Sequence, residues 1–199
     1  MTLAVNNIPP PSGDSSSTKA FEGESLVVTP GQMVVASTPN VCFKVERLTS
    51  GVVVVALPSA AMLSDGKALS GMVHCSLPDS TSVLTAENAS RVVDETHRPE
   101  WLYVDCAIPA LLEALESQGG VLVDFRWIVA GGAQPFTFGG GNNTLNIGSR
   151  NIQAVQALLA QHGLPVVGES VGSNKARTLY TQPAGVTVQL LGGESVILL

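Results

Sequence analysis

Charge is scarce in this chain. Asp, Glu, Lys and Arg make up 13% of its 199 residues, with ten basic against sixteen acidic side chains and a formal net charge of -6. No Lys/Arg run or stripe occurs anywhere. Counterion release from a phosphate backbone therefore has no source, which argues against nucleic acid and equally against an anionic membrane surface. Cysteine is also scarce. Cys42, Cys75 and Cys106 are odd in number and form no CxxC pair, so a disulfide framework or a thiolate zinc site is not expected, and reduced thiols in a cytoplasmic protein are. The N-terminus lacks the charged and apolar regions of a signal peptide. The longest apolar run, Val52 to Pro58, is far too short for a membrane span. Acidic residues form no close pair, and no His/Cys/Asp/Glu grouping has metal-ligand spacing. The Gly-rich stretch "FGGGNNTLNIGSRN" has neither the lysine of a P-loop nor the spacing of a dinucleotide fingerprint. It reads as a loop entering a helix, and no cofactor or metal is implied.

What the chain does have is apolar surface, 45% of its residues, in a length that can bury a real core within one domain. Residues 1–22 carry Pro9, Pro10 and Pro11 and the run Ser15 to Thr18. Such a segment cannot bury enough apolar surface to offset its ordering entropy, so a flexible tail is expected there and a single domain over 23–199. "SLVV", "QMVVAS" and "VCFKVE" read as short strands between "TPG" and "TPN" turns. "GVVVVAL" is apolar without alternation, as in a strand covered on both faces. "PSAAMLSDGKALS" reads as a loop, "GMVHCSL" as a strand, and residues 79–98 as a polar surface excursion. A helix is expected with Ile108, Leu111, Leu112 and Leu115 on one face, ending at Gly119. A second is expected with Ser149 as N-cap, a stripe of Ile152, Val155 and Leu159, and Gly163 as C-cap. "VLVDFRWIVAGGA" lies between them as a central strand, and four short strands close the chain. Strands on both sides of two helices indicate an α/β sandwich with a mixed sheet.

His74 stands directly beside Cys75 in "GMVHCSLPDS", which suggests a thiolate and its base. On a strand, however, adjacent side chains point to opposite faces. The two cannot then make the hydrogen bond of roughly 3 Å that a nucleophile–base pair needs. Cys75 reads as a small buried hydrophobe.

Several stretches occur together and in order: "TPGQMVVAS", "GMVHCSLPDS", "DCAIPALLEAL", "IVAGGAQPF", "LNIGSRNIQAVQALLAQHGLPVVGESVGSNKARTL" and "GVTVQL". From about Thr29 to Leu191 the chain resembles the chemoreceptor glutamine deamidases, the CheD family. The resemblance implies a cytoplasmic three-layer α/β/α sandwich with a mixed sheet. It implies chemoreceptor cytoplasmic domains as substrate or partner, and a CheC-type phosphatase as a further partner. The family mechanism it implies is attack by a cysteine thiolate on a receptor glutamine amide. A histidine acts as base and acid, and an upstream threonine orients it.

His74 matches the family histidine. The family nucleophile lies in a "T-x-x-L-G-S-C-V-x-V" stretch, whose best counterpart here is "VERLTSGVVVV". On that alignment the cysteine position is Gly51 and the threonine position is Val45. Placing Pro58 to Ala60 on the motif instead also yields no cysteine. Cys42, with Thr38 four residues before it, is an alternative nucleophile, and Ser50 a weaker one. Arg150, Asn151 and Arg177 match polar positions of the family, either structural or shaping a partner-binding groove. Losing the nucleophile of a coupled triad costs on the order of 10⁶ in turnover, more than acid–base help of roughly 10²–10⁴ can restore. Three expectations follow: a binding or regulatory CheD-like module without the thiol, an active deamidase using Cys42 or another arrangement around His74, or a CheD-type scaffold used outside chemotaxis.

Overall fold

The computed structural model describes residues 24–38, 41–81, 95–134, 146–182 and 185–198. The expected N-terminal tail, most of the expected 79–98 excursion and the Gly-rich stretch before Asn146 lie outside the described residues.

The chain opens with four strands: β1 (Glu24–Val27), β2 (Met33–Ala36), β3 (Val41–Leu48) and β4 (Val52–Pro58). Helix α1 (Ala60–Ser64) and β5 (Ser70–Cys75) follow. After a 3-10 turn at Pro99–Leu102 come α2 (Val104–Ser117), β6 (Phe125–Gly131) and α3 (Ile147–Gln161). The chain closes with β7 (Val166–Val171), β8 (Arg177–Gln182), β9 (Gly185–Leu190) and β10 (Ser195–Leu198).

These strands form two mixed five-stranded sheets, ordered β2-β5-β4-β6-β7 and β1-β3-β8-β9-β10. In the first only the β6–β7 pair is parallel, and in the second only β1–β3. The first sheet is central because β4 is buried along its whole length. Strand alternation sends Val52, Val54 and Ala56 to one face, where they pack with Ile108, Leu111, Leu115, Val155 and Leu159 of α2 and α3. Val53, Val55 and Leu57 go to the other, against Phe43, Val45, Leu179, Val186 and Val188 of the second sheet. The expected α/β class and mixed strand pairing are present, but the three layers run helices, sheet, sheet rather than the expected α/β/α. The layer opposite the helices is a second sheet, because β3, β8 and β9 turn Phe43, Val45, Leu179, Val186 and Val188 toward the central sheet.

Locally, most expected elements form. The α2 stripe is buried as the spacing requires, each fully buried leucine contributing about 1.5–3 kcal/mol of apolar transfer. Pro109 lies in the second turn of α2, where its missing N–H leaves the Asp105 carbonyl without its helical donor; the ring is exposed. Two caps differ from expectation. The N-cap of α3 is Asn146, whose Oδ1 accepts from Ser149 N at 2.9 Å, so Ser149 falls in the first turn. The C-cap is His162, one residue before Gly163. The segment expected to be a loop after β4 contains α1, because Ser59 Oγ accepts from Met62 N at 3.3 Å and Met62 is buried in the helix-side core. Among the described residues no helix is long and apolar enough to cross a membrane.

Candidate functional site

β4 and β5 pair antiparallel with Val53 opposite His74 and Val52 opposite Cys75, so the residues entering β4 lie beside the end of β5. His74 shares the β5 face of Met72, which packs between the sheets, while Val73 and Cys75 belong to the helix-side core. The adjacent histidine and thiol therefore point to opposite sides of the sheet. Cys75 is fully buried among apolar side chains, and burial, with the nearby Asp105 carboxylate adding to it, pushes its thiol far up.

His74 is only 5% exposed. Its main chain is fixed by a bond from His74 N to Gln32 O at 3.1 Å and one from Gly31 N to His74 O at 2.9 Å. Its Nδ1 lies 3.3 Å from Val28 O. A carbonyl can only accept, so Nδ1 carries the proton and the neutral ring keeps a lone pair on Nε2. Burial lowers the pKa of His74 and outweighs the opposing pull of the Val28 hydrogen bond, which favours that neutral form.

Nε2 faces Gly51. A Cβ built on Gly51 would lie 3.2 Å from His74 Nε2 and 2.8 Å from Cys75 O. Position 51, where the sequence resemblance leads us to expect the family cysteine, is thus one whose side chain would meet the histidine. Gly51 is not among the positive-φ glycines, so its backbone conformation is open to other residues. Only the Cys75 carbonyl is too near for an added side chain without a shift.

The remaining sequence candidates lie in other surroundings. Val45 is fully buried between the sheets opposite Leu179. No hydroxyl is available there, and the carbonyl of Val28 makes the bond to His74 Nδ1. Val28 is itself docked on β3 through a bond from its N–H to Lys44 O at 2.8 Å. Just after Val45 the β3–β8 register shifts and Arg47 adopts φ 52°. This bulge redirects the chain into residues 49–51, a use of bulges common beside functional sites. Cys42 lies in β3 opposite Ser25, belongs to neither apolar cluster, and its Sγ is 3.7 Å from Phe43 O. Burial raises its pKa. Cys106 is half-buried in α2, and burial raises its thiol as well. Among the described residues no His/Cys/Asp/Glu grouping could hold a metal ion.

The loop carrying Gly51 is gripped from behind. Gly132 N donates to Gly51 O and Ala133 N to Thr49 O, each at 2.7 Å. A Cβ on Gly131, whose φ is 116°, would fall 2.2 Å from Gly51 O, and one on Gly148 would fall 2.5 Å from Gly132 O. Glycine is required at both positions because main chain meets main chain there. Asn151, fully buried on α3, donates through Nδ2 to Ser50 O at 2.8 Å and to Ser76 O at 3.0 Å. Its neighbour Arg150 pairs with Asp79 at 3.0 Å.

Arg177 lies one step further out. It is 3% exposed, and it donates through Nε to Ser170 Oγ at 3.1 Å and through a terminal nitrogen to Gly172 O at 2.7 Å. Gly172 N in turn donates to Gly131 O at 2.9 Å. Val28, Gly131, Gly132, Ala133 and Gly148 are functional-site residues that side-chain chemistry alone does not single out. The glycines left a signal, since "GGA" at a strand end and "IGS" at a helix start mark close backbone approach. The Val28 carbonyl left none.

Comparison with known proteins identifies the family. The family model described as CheD chemotactic sensory transduction matches residues 78–191, which hold "GGA", "GSRN" and Arg177 and begin just past His74. The chain is 33% identical over 134 residues to the probable chemoreceptor glutamine deamidase CheD of Clostridium novyi, covering 66% of this chain and 76% of that protein. It is 34% identical over 122 residues to the chemoreceptor glutamine deamidase CheD of Halalkalibacterium halodurans, covering 61% and 69%. A Clostridium kluyveri protein named in the same way is 31% identical over 134 residues, covering 66% and 76%. With the family model matching more than half of its length and relatives at 31–34% identity, the chain belongs to the CheD family.

Proposed function

We propose that this protein acts in chemotactic signalling as a CheD-type module that engages chemoreceptor cytoplasmic domains without efficient deamidation. The reading rests on one observation: a Cβ at Gly51 would lie 3.2 Å from His74 Nε2, and the residue there has no side chain. The relatives are named as deamidases of chemoreceptor glutamines, and a glutamine side chain is the group this site would receive. The Nε2 lone pair accepts a hydrogen bond from the amide N–H. Without a thiolate at position 51 no acyl-enzyme forms, and the amide is held intact. A CheC-type phosphatase is the second partner this reading includes, on family grounds, and the cytoplasm is the compartment it requires.

The test has two readouts. Receptor cytoplasmic fragments bearing the modifiable glutamines are incubated with the protein and analysed by mass spectrometry for Gln→Glu conversion. The same fragments, and a CheC-type protein, are tested for retention on the immobilised chain. Binding without conversion is the expected result. Conversion abolished by Cys42→Ala would replace this reading with an active deamidase using that thiol. Conversion that survives Cys42→Ala and is lost in His74→Ala points to another nucleophile beside the histidine. Retention of neither partner would remove the chemotaxis role itself.

A further inference from the structure

We infer that Asn151 is the positioning residue that sets the separation of Gly51 and His74, a role that rests on the reading of position 51 as the nucleophile's place. The residues that must face each other come from different strands. Gly51 precedes β4, and His74 is one residue from the end of β5. The β4–β5 pairing runs from Ala56–Gly71 to Val52–Cys75 and stops there. Just beyond it, the chain before Gly51 and the chain after Cys75 are free of the ladder.

The Nδ2 group of Asn151 spans that gap. One amide nitrogen donates to Ser50 O at 2.8 Å and to Ser76 O at 3.0 Å, using both its protons on carbonyls from opposite sides of the strand pair. Ser50 is next to Gly51, and Ser76 is next but one to His74. The amide orientation follows from its partners, since turning it over would set Oδ1 against two carbonyl oxygens. Oδ1 is buried and makes no hydrogen bond among the described residues, so the group is not held by a wider network. An alanine at this position would leave the two carbonyls unbridged and a void where the amide sat. Helix α3 is itself seated by the Gly148–Gly132 backbone contact and by the Arg150–Asp79 pair. The amide is therefore delivered from a fixed support.

The readout is the imidazole, which Asn151 does not touch in any hydrogen bond. In full-length protein, ¹⁵N and ¹³C NMR would follow the titration and tautomer of His74 in wild type, Asn151→Ala and the shape-preserving Asn151→Asp. Val155→Ala on the same helix serves as a control for general destabilisation. If Asn151 holds the gap, both Asn151 variants let water reach Nε2, and the His74 titration moves toward that of an ordinary histidine while Val155→Ala leaves it in place. An unchanged His74 titration and tautomer in folded Asn151 variants would overturn the role. Should neither variant fold, hydrogen exchange of the Asn151 side-chain amide in wild type decides the matter. Protons exchanging as slowly as the Gly132 amide support the bridge, and protons exchanging like those of an exposed asparagine overturn it. Deamidation by the wild type would remove the non-catalytic reading yet leave this result standing.

Discussion

Two neighbouring parts of the molecule differ in what they offer. The loop at residues 49–51 presents main-chain carbonyls, and at its tip, opposite His74, it carries no side chain. The cradle around it contributes two hydrogen bonds of 2.7 Å from Gly132 and Ala133, one from Asn151 to Ser50 O, and contacts at Gly131 and Gly148 that leave no room for a Cβ. Support geometry and reactive chemistry are thus encoded by different residues in different stretches. The family model begins at residue 78, so it covers the cradle and leaves out Val45, Gly51 and His74. The match to the family model therefore rests on the cradle, and Gly51 as the reacting position is part of the proposed function.

The difference can be broken by adding the same methyl group on each side of it. Gly131→Ala places a Cβ against Gly51 O in a left-handed conformation, and a loss of about 3 kcal/mol or more is expected from backbone strain and overpacking together. Gly51→Ala meets the Cys75 carbonyl at 2.8 Å and His74 Nε2 at 3.2 Å without a left-handed φ, and should cost about 1–2 kcal/mol. Urea unfolding with unchanged m-values measures both, and equal costs would erase the distinction between loop and cradle.

Arg177→Ala sharpens the outer edge of the cradle. It strips donors from Gly172 O and Ser170 Oγ in a buried setting, so a loss of about 2 kcal/mol is expected in the same assay. Receptor-fragment binding should stay unchanged, whereas a specific loss of binding in the folded variant would move Arg177 into a partner-binding surface.

A smaller effect is expected from His74. Burial lowers its folded-state pKa below the unfolded value of about 6.5. Between those two values the unfolded chain binds the extra proton, so stability falls as pH drops below about 6.5, and the fall ends once pH is below the folded-state pKa. The contribution cannot exceed about 1.4 kcal/mol per pH unit. Unfolding curves collected as a function of pH for wild type and His74→Gln should differ in this slope; parallel curves would mean that the imidazole is not held neutral.

How much of this was legible in the sequence depended on range. β4 reads as doubly covered from seven consecutive apolar residues, and the α2 stripe from its spacing, because both signals are local. The opposite directions of His74 and Cys75 follow from strand alternation alone. The layer opposite the helices was not legible, since its sheet joins β1 and β3 from one end of the chain to β8, β9 and β10 from the other, and pairing partners leave no mark in either segment. The α3 cap was ambiguous for a simpler reason. Asn146 and Ser149 are both good capping residues, and backbone geometry rather than residue type selects between them. At the site, side-chain types pointed to His74 and to position 51, whereas the Val28 carbonyl bonded to Nδ1 is a main-chain group 46 residues away with no identity to read.

The central claim is that position 51 is the seat of a missing nucleophile facing an otherwise prepared histidine. Its most direct test compares wild type with Gly51→Cys and Gly51→Cys/Val45→Thr in the mass-spectrometric assay on receptor fragments, with Cys42→Ala added to each. The account predicts no conversion by the wild type, and Gln→Glu conversion by the cysteine variants that survives Cys42→Ala and is lost in His74→Ala. Turnover by the wild type that disappears with Cys42→Ala, together with inert cysteine variants that remain folded, would contradict it.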